Sequence, residues 1–178
     1  MENQKSSSKQ IMLNYGILLG FASILIAVAN FAFGDIYKPH WSVSVIGIVA
    51  SVAIIVLGIK KFKDENDGLL ALGQAIKIGL GIALISGLIY IVYLFVFSSY
   101  MEPDFYKNMT EVQEQAILEK NPNMSDEQLE VSKEMMKKFM GPGVTAAMTI
   151  AFSLFFGFIV SLIGGLIMKK SNEEITSI

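Results

Sequence analysis

Four stretches of the chain carry no charged residue: Ile11–Phe33, Val43–Ile59, Ile78–Phe97 and Val144–Met168, with 23, 17, 20 and 25 residues. A helix needs about 20 mainly apolar residues to cross the hydrocarbon core of a bilayer, with about 17 as the lower limit. All four qualify, the second only just. Inside lipid every backbone polar group must find its partner within the segment, so each run should be a helix despite its β-branched residues. Only 17% of the 178 residues are charged, far below the share of a soluble domain. The expected fold is therefore all-α: an integral membrane four-helix bundle, one domain over residues 1–178, with spans at about 11–33, 43–59, 74–100 and 144–168.

Composition removes several functions. The net charge is −2, and all fourteen cationic side chains are Lys, with no Arg. Nucleic-acid recognition draws heavily on Arg, so no nucleic-acid partner is expected. With no Cys, thiolate catalysis, disulfides and Cys-ligated metals are excluded. The segment Ala27-Val28-Ala29 matches a signal-peptide cleavage pattern, but the apolar run continues to Phe33, longer than a signal peptide's core of about 7–15 residues. The first run is therefore taken as a retained span.

Lysine placement gives an orientation. Lys5, Lys9, Lys60, Lys61, Lys63, Lys77, Lys169 and Lys170 fall near membrane ends on one side. Opposite them stand Lys38 and five Lys spread through residues 101–143, among nine acidic residues. Short Lys-rich loops stay cytoplasmic, so both termini are expected in the cytoplasm and residues 101–143 outside. Phe31, Phe33, Tyr37 and Trp41, and Tyr90, Tyr93, Phe95, Phe97 and Tyr100, gather at that outer boundary, as aromatic belts do. The charged stretch "KKFKDENDG", Lys60–Gly68, is expected as a turn. The ten-residue tail "MENQKSSSKQ" is expected as polar coil.

The outer connection has helical grammar. Pro103 suits a helix start. Phe105, Met109, Val112 and Ala116 follow at helical spacing, and Asn121-Pro122 ends the pattern. Ser125 with Gln128 is a capping-box pair that opens a second helix. Gly141-Pro142-Gly143 then breaks the chain. An extramembrane helical hairpin is expected between the third and fourth spans. Its Met-rich end has neither His nor Cys beside it, so the methionines are taken as flexible apolar contacts rather than copper ligands. Asn108-Met109-Thr110 and Asn123-Met124-Ser125 match glycosylation sequons, which matter only in a eukaryotic cell.

Two features remain as candidates for function or packing. The first is the opening of the third span, "ALGQAIKIGLG", where Gln74 and Lys77 precede the uncharged run. Lys77 is expected to anchor at the boundary, its stem along lipid and its ammonium among headgroups, and no span offers a carboxylate to pair with it if buried. Asn66 or Asp67 is expected to cap the helix start. The second is a repeat of small residues every four positions: Gly16 and Gly20 in the first span, Ala75, Gly79, Ala83 and Gly87 in the third, Ser153, Gly157, Ser161 and Gly165 in the fourth. Such ladders let membrane helices approach closely, because packing must supply the association that lipid does not. They are expected to pack within one chain rather than to form a homodimer. Among the polar residues within the spans are Asn14, Ser23, Asn30, Ser51, Ser86, Thr149, Ser153 and Ser161, and none of these is ionisable. Proton-coupled carriers rely on such groups. Asp35, at the edge of the first span, is expected to be a turn residue.

The segment "LGQAIKIGL", the Lys-rich turn before it, and the long insertion before a Phe/Gly-rich last span with its Lys-Lys end resemble an uncharacterised family of small four-span bacterial membrane proteins, the domain of unknown function numbered 4199. The resemblance implies a Gram-negative inner membrane and no assigned activity. No nucleophile elbow, phosphate loop or zinc motif is present, so no enzyme and no cofactor are expected. The expected role is that of an accessory or scaffold protein whose partners are the bilayer and a membrane protein or a second copy. The alternative is an oligomeric transporter or channel for a small solute. A polar cavity reaching the membrane midplane would favour the latter.

Overall fold

The structure, a computed structural model, describes residues 7–170. Among these are six α-helices: α1 Ser8–Phe33, α2 Trp41–Glu65, α3 Leu72–Val96, α4 Phe105–Lys120, α5 Asp126–Phe139 and α6 Pro142–Met168. Four of them, α1, α2, α6 and α3 with its extension to Met101, are long and apolar enough to cross a membrane. Lys5 and the tail after Lys170 lie outside the described residues. The end bearing Ser8, Glu65, Leu72 and Met168 is called basal here, and the opposite end apical.

Helix boundaries follow local chemistry. Ser7 caps α1 by accepting from the Gln10 N–H, so part of the expected coil is helical. The stretch Lys60–Glu65, expected as a turn, instead forms the last turns of α2. Lys61 and Glu65, four residues apart, meet at 3.0 Å across that extension. Two left-handed residues, Asp67 (φ 55) and Gly68 (φ 77), then turn the chain. The second costs glycine little, since it has no Cβ. At its apical end α3 passes into a π-turn, Phe97–Met101, closed by the Glu102 N–H donating to the Phe97 carbonyl at 2.9 Å. Asp35 accepts from the N–H groups of Tyr37 and Lys38 and so shapes the α1–α2 connection.

Helix α3 is the centre of the packing, touching α1, α2 and α6. Against α1 it runs parallel in one register: Gly16 faces Ile85, Gly20 faces Ile89, and Gly81 faces Met12. Against α6 it runs antiparallel, and here the two small-residue ladders meet rung for rung. A Cβ added at Gly165 would lie 2.8 Å from that of Ala75. One added at Gly79 would collide with Ser161, one at Gly157 would lie 2.5 Å from that of Ala83, and one at Gly87 would lie 3.1 Å from Ser153 Oγ. Each step of four along α3 is answered by a step of four back along α6. The register continues below the helices: Leu70 and Lys170 exchange both backbone hydrogen bonds, each 3.0 Å, in an isolated antiparallel bridge. Ser161, fully buried on this seam, satisfies its hydroxyl by donating to the Phe158 carbonyl.

The basal half is solid. Ile11, Ile55, Ile59, Leu70, Ala75, Ile78 and Ile82 form its buried core. Outward faces are apolar and bare, with Leu25 at 68% and Phe95 at 64% exposure. A soluble monomer does not leave such surface in water. The seven-residue connection to α2 and the π-turn bring Phe31, Tyr37, Phe97 and Phe105 together, with Phe31–Phe97 centroids 5.1 Å apart and Phe97–Phe105 5.6 Å. Tyr37 donates to Glu102 at 3.0 Å, and Asn108 donates to Tyr37 Oη at 3.0 Å. Burial first, and then the neighbouring Glu102 carboxylate, push the Tyr37 hydroxyl above its usual pKa, against the Asn108 amide, which lowers it. These contacts fix α4 to the apical ends of α1 and α3. On α4, Phe105, Met109, Val112 and Ala116 are half-buried, as their spacing indicates. Ser125 and Gln128 cap α5 reciprocally, and Lys133 of α5 pairs with Glu114 of α4 at 2.8 Å.

Graded sensitivity along the α3–α6 seam should follow. Gly79→Ala and Gly157→Ala force two backbones apart and should lose about 1–3 kcal/mol, the range for overpacking. Gly87→Ala, at the loosest rung, should lose least. Thermal unfolding in one detergent checks this; equal melting of all three with the parent would mean that the ladders do not set the helix spacing.

Candidate functional site

At its basal start α3 is capped by its own Gln74. The Gln74 side chain reaches back to accept from the Ala71 N–H at 2.9 Å, satisfying a donor that the helix leaves free. Asn66, expected as the cap, instead donates to the Leu69 carbonyl and closes the preceding turn. Asp67 lies in that turn too. Lys77 is exposed, one residue before the fully buried Ile78. Gln74 and Lys77 therefore stand on the outer surface of the basal end, and their side chains do not point into a shared interior site. Gly79 and Gly157 lie inside the seam, and Gly87 at its apical limit.

Immediately above Gly87 the helices part. The small-residue repeat stops, and the next positions on this side of α3 are Tyr90, Tyr93 and Leu94. Bulky side chains cannot support the close approach that glycine permits. The apical half of α2 is likewise loosely held: its buried residues are Ile55, Gly58 and Ile59, all basal, and a Cβ at Gly47 would touch nothing. A cavity of about 630 Å³ opens between the four long helices. Its lining runs along α3 from Ala83 to Phe97, a depth of about 21 Å at ~1.5 Å per residue, or about two thirds of a hydrocarbon core of ~30 Å.

The lining is layered. Leu19, Ile55 and Ala83 make the floor, backed by the packed isoleucines below. Ser86 and Ser153 come next, at the level of Gly87. About one turn higher, the α1–α3 and α3–α6 registers place Ser23, Tyr90 and Thr149 at one level, and the Gly58–Ile82 contact brings Ser51 of α2 to it. On α6, Phe152 stands beside Ser153 and Met148 beside Thr149; toward the mouth lie Val43 and Phe97 with Asn30 and Thr145, and Phe105 of α4 roofs it. A smaller space of about 220 Å³, bounded by Met109 of α4 and Phe139 and Met140 of α5, adjoins it. Six of the eight polar residues noted in the spans thus face one cavity; Asn14 is exposed at the basal end and Ser161 lies in the seam.

The hydroxyls differ in how they are satisfied. Ser23 donates to the Leu19 carbonyl and Thr149 to the Thr145 carbonyl, as helical Ser and Thr commonly do. Ser86 is only 7% exposed, yet its hydroxyl has no hydrogen-bond partner among the described residues; nor do those of Ser51, Tyr90 and Ser153. No buried polar atom among the described residues is sealed off unpaired, so the Ser86 oxygen opens into the cavity. Tyr90, Tyr93 and Phe97 correct an expectation: they line this interior instead of standing in an interfacial belt, whereas Trp41 and Tyr100, at 69% and 80% exposure, do stand outside. Gly47 and Tyr90 were not singled out from the sequence as site residues. The available signal was periodic: Gly47/Ser51, Ser86/Tyr90 and Thr145/Thr149/Ser153 each recur every four residues along one helix. Among the described residues, no group of three acidic or His side chains suits a metal ion.

Four apolar helices around a seam and a neutral cavity define an integral membrane protein. The chain belongs to the family described as "Protein of unknown function (DUF4199)", which matches it over residues 14–170. No curated protein and no solved structure matches it.

The two basal positions separate by experiment. Gln74→Ala removes the α3 cap and should cost about 1 kcal/mol. Lys77→Arg and Lys77→Ala should stay within about 0.5 kcal/mol of the parent, as surface changes do. Melting in detergent reads both; a large loss at Lys77 alone would place its ammonium in a structural contact.

Proposed function

We propose that this protein is a non-enzymatic accessory or scaffold protein of a Gram-negative inner membrane. In this reading its four long helices form a membrane bundle with both termini cytoplasmic, and α4 and α5 form a periplasmic hairpin that meets a membrane-protein partner. One observation carries the reading: α4 and α5 are tied down, not slack. Tyr37, Glu102, Asn108 and the Phe97–Phe105 contact hold the base of α4, and the Lys133–Glu114 pair joins α5 to it. On this fixed mount Val131, Met135 and Phe139, four residues apart along α5, are all more than half exposed. Rigid presentation of an apolar stripe suits contact with another protein, because little ordering entropy is lost on binding. The orientation rests on Lys9, Lys60, Lys61, Lys63, Lys77, Lys169 and Lys170 near the basal membrane ends, and the bacterial setting on the family resemblance.

A second reading, an oligomeric transporter or channel for a small neutral solute, is favoured by the cavity, which runs from Ala83 to Phe97 along the third span and carries hydroxyls. The packed floor at Ile55, Ile59, Ile78 and Ile82 counts against a path through one chain. Glycerol flux into proteoliposomes separates the readings: the accessory reading expects no rise over protein-free vesicles.

Two experiments test the main reading. A periplasm-dependent reporter fused after Asn121 should be active, and the same reporter after Lys63 inactive; the reverse would invert the topology. A photocrosslinking residue at Met135 should give a discrete protein adduct in cells. Adducts to lipid alone would remove the scaffold role.

A further inference from the structure

The apical cavity, which the accessory reading does not use, has the chemistry of a binding site. Its volume of about 630 Å³ falls within the ~300–1,000 Å³ typical of small-molecule sites. Apart from the two tyrosines, no lining side chain is ionisable. A charged headgroup drawn into it would be desolvated without a counter-charge, at a cost of several kcal/mol, so the occupant is neutral. A purely apolar chain fits no better. It would leave Ser86, Ser153, Ser51 and Tyr90 unpaired in a low-dielectric interior, and buried polar groups are almost always bonded. The occupant therefore carries a compact polar end as well as an apolar body.

The layering orients it. The free hydroxyls lie deep, in two tiers about one turn apart, with Phe152 and Met148 beside them on α6, while Val43, Phe97 and Phe105 lie toward the mouth. Polar end inward and apolar body outward is the arrangement that satisfies both. The wall between α2 and α6 offers access from the bilayer side: Met148 and Phe152 line the cavity yet stay 50% and 65% exposed, and on α2 a Cβ added at the lining residue Gly47 would meet nothing. The π-turn that contributes Phe97 to the rim interrupts regular α3 there, and such turns recur at binding sites.

From this geometry we propose that the cavity binds a neutral amphipathic lipid, taken laterally from the bilayer, with its hydroxyl- or carbonyl-bearing end bonded to Ser86, Ser153, Ser51 and Tyr90. The site is separable from the scaffold role, since its residues lie on α2, α3 and α6 and the proposed partner stripe on α5.

The test uses the full chain in nanodiscs and a diacylglycerol whose acyl chain carries a photoactivatable diazirine, with adducts mapped by peptide mass spectrometry. Adducts should concentrate on residues 145–156 of α6 and be displaced by unlabelled diacylglycerol. Gly47 lines the cavity and a Cβ added there meets nothing within 4 Å, so Gly47→Phe puts a ring at the cavity wall and should cut these adducts by about tenfold or more, the effect of losing ~1.4 kcal/mol of affinity. Gly73→Phe, equally unhindered but outside the lining, should leave them unchanged. Ser86→Ala, which barely alters packing, should reduce them about fivefold, as removal of one neutral hydrogen bond does. Equal labelling by a diazirine phosphatidylglycerol, insensitive to Gly47→Phe, would reduce the occupant to annular lipid and overturn the proposal. Absence of diacylglycerol adducts in the cavity, with all variants melting like the parent, would overturn it as well.

Discussion

The close approach of α3 and α6 is the contact on which the other features depend. Lipid tails are as apolar as leucine, so two membrane helices gain little by hiding apolar side chains from them; they associate where their surfaces fit. Here the fit comes from four rungs, Ala75 with Gly165, Gly79 with Ser161, Ala83 with Gly157 and Gly87 with Ser153, and the Leu70–Lys170 bridge extends the same register past the helix ends. Once that register is set, the buried isoleucines of α2 and α3 close the basal half. Helix α1 lies on the other side of α3, with Gly16 and Gly20 accepting Ile85 and Ile89.

The cavity follows from where the seam stops. A ladder of small residues holds two backbones together only while it lasts, and beyond Gly87 the facing residues are Tyr90, Tyr93 and Leu94. The molecule is thus tight at one end and open at the other, with α4 and α5 bound over the open end through Phe105 and the Tyr37–Glu102–Asn108 contacts. Rigidity and accessible volume are properties of one arrangement. A change that lengthens the ladder apically should also shrink the cavity, and one that loosens it should enlarge the cavity at the expense of the core.

Much of this architecture was legible in the residues. Charge-free length alone located the four long helices, because a helix is the form in which a single segment satisfies its own backbone in lipid. The Ser125/Gln128 pair marked α5, and the every-fourth-residue glycines marked close contact. Other features were hidden for physical reasons. The stretch Lys60–Glu65 looked like a turn by composition, but charge does not end a helix that can leave the membrane and pair Lys61 with Glu65. Gln74 stood as a candidate for function or packing at the helix boundary and proved to be a cap, since a side-chain amide can turn back on its own backbone. The cavity was the least visible feature. Its serines are the same residue type that packs a seam, and only the loss of a facing partner turns Ser86 from a packing residue into a free hydroxyl.

The most direct measurement exploits the absence of cysteine from the chain. At the Gly87 rung an added Cβ would sit 3.4 Å from that of Ser153, close to the ~3.5–4.5 Å that a disulfide spans. The pair Gly87→Cys with Ser153→Cys should therefore oxidise to an intramolecular bond in membranes. Gly87→Cys with Gly157→Cys, one turn out of register, should not. Bridging of the second pair but not the first, or a crosslink that appears only between two chains, would contradict the seam and with it the account of the cavity above it.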